Sequence, residues 1–236
     1  METLDSRHVR LTNRLESHAE EATPYGQLKA AISDVHPPTA EHSIRVRILA
    51  MSIGRTWGLS GKDLTTLALA SEVHDAGKLY VPAAILGKPG PLSDEEWEII
   101  RLHPAWGVEI VQGVFQCHQD VLDCILHHHE RLDGSGYPDR LHGHSIPPLC
   151  RMLSVADAYA SLTEDRPYRP AFSAEDAMVV LKHVEHGKYD NDVMGALACS
   201  EELEPYSPSP RARKRLPRLP NLGVGLDKWM RGELVK

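Results

Sequence analysis

The sequence predicts an all-α fold. Apolar residues recur at three- and four-residue spacing through most of the first 200 positions. Helix start and stop signals punctuate that pattern. Phe occurs twice and runs of Val and Ile are short, which disfavours a β-sheet core.

The elements follow in order. Residues 1–24 are polar and charged, with helical potential but no apolar face that demands a core, and read as an N-terminal extension. A short helix runs from Tyr25 to Val35, and His36-Pro37-Pro38 breaks it. Thr39 fits the N-cap of the next helix, whose stripe is Ile44, Ile48, Met51 and Ile53 and whose end is Gly58. Ser60-Gly61-Lys62-Asp63 is close to a capping box, and Leu64, Leu67, Ala68 and Ser71 recur at helical spacing up to His74. Ser93-Asp94-Glu95-Glu96 opens a further helix, with acidic groups against the positive helix end. Pro104 kinks or restarts that helix after His103. Val121 to His128 reads as helix, and the Gly- and Pro-rich stretch 133–148 reads as a long loop, of the kind that is usually functional. A buried helix spans Ile146 to Leu162. Ser173 caps the next, Gly187 closes it, and Asn191 opens a last one.

A chain of 236 residues with 42% hydrophobic content can bury one sizeable core. Net charge is −7, which argues against nucleic acid as the main partner. Pro205, Pro208, Pro210, Pro217 and Pro220 interleave with Arg211, Arg213, Lys214, Arg215 and Arg218, so 205–236 reads as a disordered or extended tail. A basic patch for membranes or nucleic acid is the competing reading of that tail. Cys117, Cys124, Cys150 and Cys199 have no C-x-x-C spacing and read as reduced, buried thiols of a cytoplasmic protein. No apolar stretch approaches membrane-spanning length, and the N-terminus lacks a signal-peptide pattern.

Two segments carry chemistry. His74-Asp75-Ala76-Gly77-Lys78 and His128-His129-Glu130-Arg131-Leu132-Asp133-Gly134-Ser135-Gly136-Tyr137-Pro138 offer nitrogen and oxygen donors that suit a borderline or hard divalent metal. Asp75 can give one oxygen to each of two ions, the arrangement of two-metal sites with ions roughly 3.5–4 Å apart. A surface His-Asp dipeptide is common; the following Gly77-Lys78 and the distant histidine pair favour the site. Asp157, in the apolar run Leu153–Leu162, is costly to bury without a partner, and a metal would be that partner. Lys78 lies one helical turn from Asp75, within reach of a phosphate oxygen or water. Gly134 and Gly136 shape the loop, and Tyr137 either stacks on a guanine or anchors it. His8, His18, His118, His183 and His186 read as ordinary surface or core residues, and His127 has no assigned role.

These motifs resemble the HD-GYP domain, a branch of the HD metal-dependent phosphohydrolases. Pro82-Ala83-Ala84-Ile85-Leu86 with Lys88-Pro89-Gly90, then Glu96-Trp97, His103-Pro104, Ile146-Pro147, Ala156-Asp157 and Asp165-Arg166-Pro167-Tyr168-Arg169 continue the match over about residues 25–200. The resemblance implies an HD-domain helical bundle over 25–204 with a long Gly-Tyr-Pro loop. It implies a binuclear phosphodiesterase that opens cyclic di-GMP to pGpG, and leaves open whether pGpG is cut further to GMP. One metal would take His42, His74, Asp75 and Asp157, and the other Asp75, His103, His128 and His129. Ligands without thiolate favour iron or manganese, with zinc, cobalt or nickel as alternatives. Arg166 and Arg169 match phosphate-binding positions, where guanidinium suits the task, with an ordinary surface charge as the competing reading of each. Two rivals stand beside this reading: another cyclic dinucleotide such as cyclic GMP-AMP as substrate, or a catalytically weak sensing module that docks on a diguanylate cyclase (GGDEF) protein through the loop. The chain departs from the family pattern at Ala160, where another Asp is usual, and at Pro38, where some members carry an extra carboxylate.

Overall fold

The computed structural model describes residues 4–20, 23–59, 61–165 and 170–200. Eleven α-helices are found among them: α1 Leu4–Ser17, α2 Pro24–Val35, α3 Pro37–Trp57, α4 Gly61–Val73, α5 Ala83–Leu86, α6 Asp94–Ile100, α7 His103–Val114, α8 Gln119–His127, α9 Pro148–Leu162, α10 Ala174–Val179 and α11 Asn191–Ala198. The described residues contain no strand, only an isolated bridge between Asp133 and His142. The all-α expectation holds. Ser60, the 205–236 tail and the Arg166/Arg169 pair lie outside the described residues.

The bundle is organised around α9. Every residue from Met152 to Leu162 on it is buried. Ala156, Ala158 and Ala160 leave little bulk, so helices pack closely on several sides; α3, α8, α4 and α11 all lie against it. The helix begins at Pro148 rather than Ile146, because each residue of the Ile146-Pro147 pair precedes a proline and is held extended.

The buried face of α3 keeps Ile53 of the expected stripe but otherwise differs from it. Ile44 and Ile48 are 51% and 42% exposed. The face that packs on α4 and α9 runs through His42, Val46, Leu49, Ala50 and Ile53. At 100° per residue, a two-residue offset turns the stripe to the far side of the helix. Reading only large apolar side chains hid this, since the face starts on an imidazole. Thr39 is not the N-cap either. The helix starts at Pro37, where proline costs no hydrogen bond, and Thr39 Oγ1 lies 2.8 Å from His36 Nδ1.

Several local signals form as expected. Ser93 and Glu96 make a reciprocal capping box on α6. The chain breaks after Ile100 and restarts at His103 with Pro104 in the first turn of α7. Residues 4–17 do more than extend the chain. Leu11 joins the core, His8 lies 3.0 Å from Glu109, and the Arg7 guanidinium sits over Trp106. Leu15, one turn later, packs against the same core, and cation–π and ionic contacts hold the rest of α1 down. Cys124 and Cys150 are buried with their sulfurs 3.6 Å apart, but Cys117 is half-buried and Cys199 is exposed at the end of α11.

After α4 the chain tightens into a 3-10 turn, Ala76–Tyr80, which lies flat against α7. The approach is close enough that only glycine fits at position 77. A Cβ there would strike the His103 carbonyl and stand 2.6 Å from the Gly107 nitrogen. Gly77→Ala is therefore expected to destabilise the protein by about 1–3 kcal/mol through overpacking. Chemical denaturation checks this; a loss under 0.5 kcal/mol would show that the turn shifts freely.

Candidate metal centre

Three helix ends and two helix interiors bring the polar side chains together. His74 and Asp75 follow the last turn of α4, His103 opens α7, and His128 and His129 follow α8. His42 comes from the first turns of α3 and Asp157 from the middle of α9. All seven are buried or nearly so.

Three of the imidazoles are oriented in the same way. His74 Nδ1 lies 2.8 Å from the Ser71 carbonyl, His103 Nδ1 2.7 Å from Ile100 O, and His128 Nδ1 2.7 Å from Ile125 O. Each partner is the carbonyl three residues earlier, in a final helical turn whose carbonyls lack ladder partners. A carbonyl only accepts, so Nδ1 carries the proton and Nε2 presents a lone pair. His74 Nε2 is buried with no hydrogen-bond partner. His103 Nε2 and His128 Nε2 stand 3.2 Å apart. Two proton-free nitrogens at that separation repel, and a cation at the shared face removes the conflict. That is the donor chemistry of a metal site, and the residues present fit one.

The donors form two groups. His42, His74 and Asp75 offer atoms within 4.8 Å of one another, and so do His103, His128 and His129. Asp75 faces both: Oδ1 is 3.3 Å from His103 Nε2 and Oδ2 is 3.4 Å from His74 Nε2. Lys78 Nζ donates to Asp75 Oδ2 at 2.6 Å. Asp157 Oδ1 lies 3.0 Å from His42 Nε2, and its Oδ2 is 3.8 Å from His129 Nδ1.

Burial works to raise the Asp75 carboxyl, and Lys78 with His74 and His103 outweighs it and holds Asp75 well below the usual carboxylate range. Asp157 is likewise low, against burial, through His42, His129 and His74. Burial drives His103 down to about 4, helped by Lys78, although Asp75 opposes the shift. Burial and neighbouring imidazoles hold His128 and His129 well below their ordinary value. His42 goes the other way, to about 9: burial opposes the rise, but hydrogen bonds to Asp157 and Glu164 outweigh it. The cluster thus offers ionised carboxylates and mostly neutral imidazoles, the protonation states that ligation requires.

The 128–147 loop is fixed by Glu130, whose buried carboxylate accepts from the backbone N–H of Asp139 (2.7 Å) and of Leu141 (3.0 Å). Gly136 lies so near that a Cβ would come within 2.5 Å of Arg131 N and Glu130 Cα. This close return lays Tyr137 on His129, with ring centroids 4.8 Å apart and planes 28° apart. The Arg101 guanidinium covers the same tyrosine at 4.9 Å. His127 turns away and lies 3.0 Å from Asp139.

All the expected metal-ligating residues, with Lys78 and Tyr137, converge. Sequence reasoning missed Glu164, 2.9 Å from His42 Nδ1, and the roles of Glu130 and Arg101. Seven residues separate Glu164 from Asp157, two helical turns, and that spacing was the available signal.

A helical bundle that encloses a buried histidine–aspartate cluster defines a class of metal-dependent proteins. The chain belongs to the HD domain family, whose model matches residues 26–193; the 128–138 run gives it the HD-GYP form. It is 40% identical over 197 residues to a cyclic di-GMP phosphodiesterase of Pseudomonas aeruginosa, covering 84% of this chain and 46% of that protein. It is 36% identical over 180 residues to the 3'3'-cGAMP-specific phosphodiesterase 1 of Vibrio cholerae, covering 75% and 42%. The chain thus spans less than half the length of these relatives. The solved Bdellovibrio bacteriovorus protein Bd1817, an HD-GYP variant, has the same fold, with TM-score 0.58, 22% identity, and coverage of 83% of this chain and 63% of that one.

Glu130→Ala is expected to cost about 1–3 kcal/mol, because two loop N–H groups lose their acceptor. Thermal melts against Glu130→Gln, which keeps one acceptor oxygen, provide the check. Equal stability of Glu130→Ala and wild type would mean that water replaces the carboxylate without loss.

Proposed function

We propose that the chain is a metal-dependent phosphodiesterase that opens cyclic di-GMP to linear pGpG and, by a second cut, yields GMP. The observation that supports this most is the opposed pair of proton-free nitrogens on His103 and His128, beside a carboxylate that faces two donor groups. In this reading His42, His74, Asp75 and Asp157 hold one divalent ion. Asp75, His103, His128 and His129 hold the other. Iron or manganese suits the thiolate-free set. When bound, the ions would acidify a water and polarise a phosphodiester oxygen.

The chain's own groups do the rest. Asp75 joins the two donor groups. Lys78, whose ammonium is partly exposed beside Asp75, offers a charge-assisted hydrogen bond to a non-bridging phosphate oxygen. Arg166 and Arg169 contact a phosphate in this reading. Tyr137, stacked on His129 and covered by Arg101, gives a flat surface for a guanine at the rim. The substrate is a bacterial second messenger, which fits a cytoplasmic enzyme, and no described helix is long and apolar enough to cross a membrane. The Gly-Tyr-Pro loop is also the surface for any contact with a diguanylate cyclase.

A second substrate, 3'3'-cyclic GMP-AMP, is favoured by the similarity to the Vibrio cholerae relative. The two cyclic dinucleotides share the phosphodiester and differ in one base, so the same centre serves either. Product analysis with both on the anaerobically purified protein separates them, and turnover of neither would refute the enzymatic reading.

Asp75→Ala is expected to abolish hydrolysis while circular dichroism keeps its helical signal; activity near wild type would end the two-metal mechanism. Arg166→Ala and Arg169→Ala are each expected to raise KM by about tenfold or more, with metal content unchanged, since a charge-assisted hydrogen bond is worth roughly 1.5–3 kcal/mol. Loss of metal at constant KM would make them structural. Elemental analysis is expected to find two ions per chain. Pro38, one turn before His42, supplies no donor for a third.

A further inference from the structure

His42 is held differently from His74, His103 and His128. Those three follow or begin helices, so an unladdered carbonyl three residues earlier is free to accept from Nδ1. His42 lies inside α3, where the preceding carbonyls are committed to the helix ladder. Its Nδ1 partner must come from another element. Glu164 supplies it, with Oε2 at 2.9 Å, just past the end of α9.

The segment that carries Glu164 is itself clamped to α3. Arg45, one turn after His42, donates to the Thr163 carbonyl at 3.1 Å and to Thr163 Oγ1 at 2.9 Å. Thr163 Oγ1 in turn donates to Tyr159 O at 2.7 Å. The backbone next to Glu164 is therefore fixed from both helices. Ala160, one turn before Glu164, is wholly buried and offers no polar atom. Among the described residues near His42, Asp157 occupies Nε2 and Glu164 occupies Nδ1.

We infer that Glu164 is a positioning residue for the metal centre: by accepting from His42 Nδ1–H it fixes the ring with Nε2 turned toward Asp157 and the first donor group. An ion at Nε2 displaces only the proton shared with Asp157 and leaves the Glu164 bond in place. A carboxylate partner also makes the imidazole a stronger donor than a carbonyl partner does. The inference rests on the two-ion reading given above.

The test uses the full chain, stripped with a chelator and titrated with manganese(II). Wild type is expected to take up two ions. Glu164→Ala is expected to weaken one of them by about 10–100-fold, the usual effect of removing such a partner, and to leave the other unchanged. Wild-type affinity for both ions in Glu164→Ala would overturn the inference. So would loss of a third ion with the two-ion core intact, since Glu164 would then be a ligand. A wild type that binds no ion would instead overturn the two-ion reading itself. Glu164→Gln keeps the shape and serves if the alanine variant does not fold. In nitrogen-15-labelled, zinc(II)-loaded protein, the His42 Nδ1–H proton resonance is expected to move upfield in Glu164→Gln as the carboxylate becomes an amide. An unmoved resonance would overturn the inference.

Discussion

Five imidazoles and two carboxylates must be taken out of water together, and the rest of the structure answers that constraint. Burying such groups unpaired costs several kcal/mol each. The bundle meets the cost by giving His42, His74, His103 and His128 an outer partner at Nδ1 and turning Nε2 inward, while His129 stacks on Tyr137. His74, His103 and His128 use the free carbonyls that every helix leaves at its end. These donor-bearing segments therefore sit where helices stop and start, and the breaks at His74, His103 and His128 serve the cluster as much as the topology.

That requirement explains the tight geometry nearby. Gly77 lets the turn after Asp75 press on the first turn of α7, which brings Asp75 to His103. The small residues of α9 let four helices close around Asp157. The 128–147 loop obeys the same logic at the rim. Glu130 gives its charge to loop N–H groups rather than to the cluster, and so lays Tyr137 against His129. Lys78 is the one described ammonium group in direct contact with the donor cluster, and it balances Asp75 while staying partly exposed toward the outside.

Much of the site was legible because its signals are local. His74-Asp75, the paired histidines and the Gly-Tyr-Pro run are contiguous, and His103 announces itself by the proline after it. Asp157 stood out as a charge in an apolar run. The helices were legible where caps were explicit, as at Ser93, and less so where the buried face began on a polar residue. α3 is the instructive case: Ile44 and Ile48 outweigh His42 and Ser43 in any count of apolar residues, yet the latter pair is buried.

The sequence by itself determined the helical class, the metal-suited donor types and the order in which they arrive, because each depends on residue identity and short spacing. Only the tertiary structure decided which nitrogen of each histidine faces inward, that Asp75 faces both donor groups, and that Glu164 stands behind His42. The physical reason is range. A cap or a helical stripe is settled within a few residues by backbone geometry. The partner of His42 lies 122 positions away, and nothing in the local chain constrains it until α3 and α9 have packed.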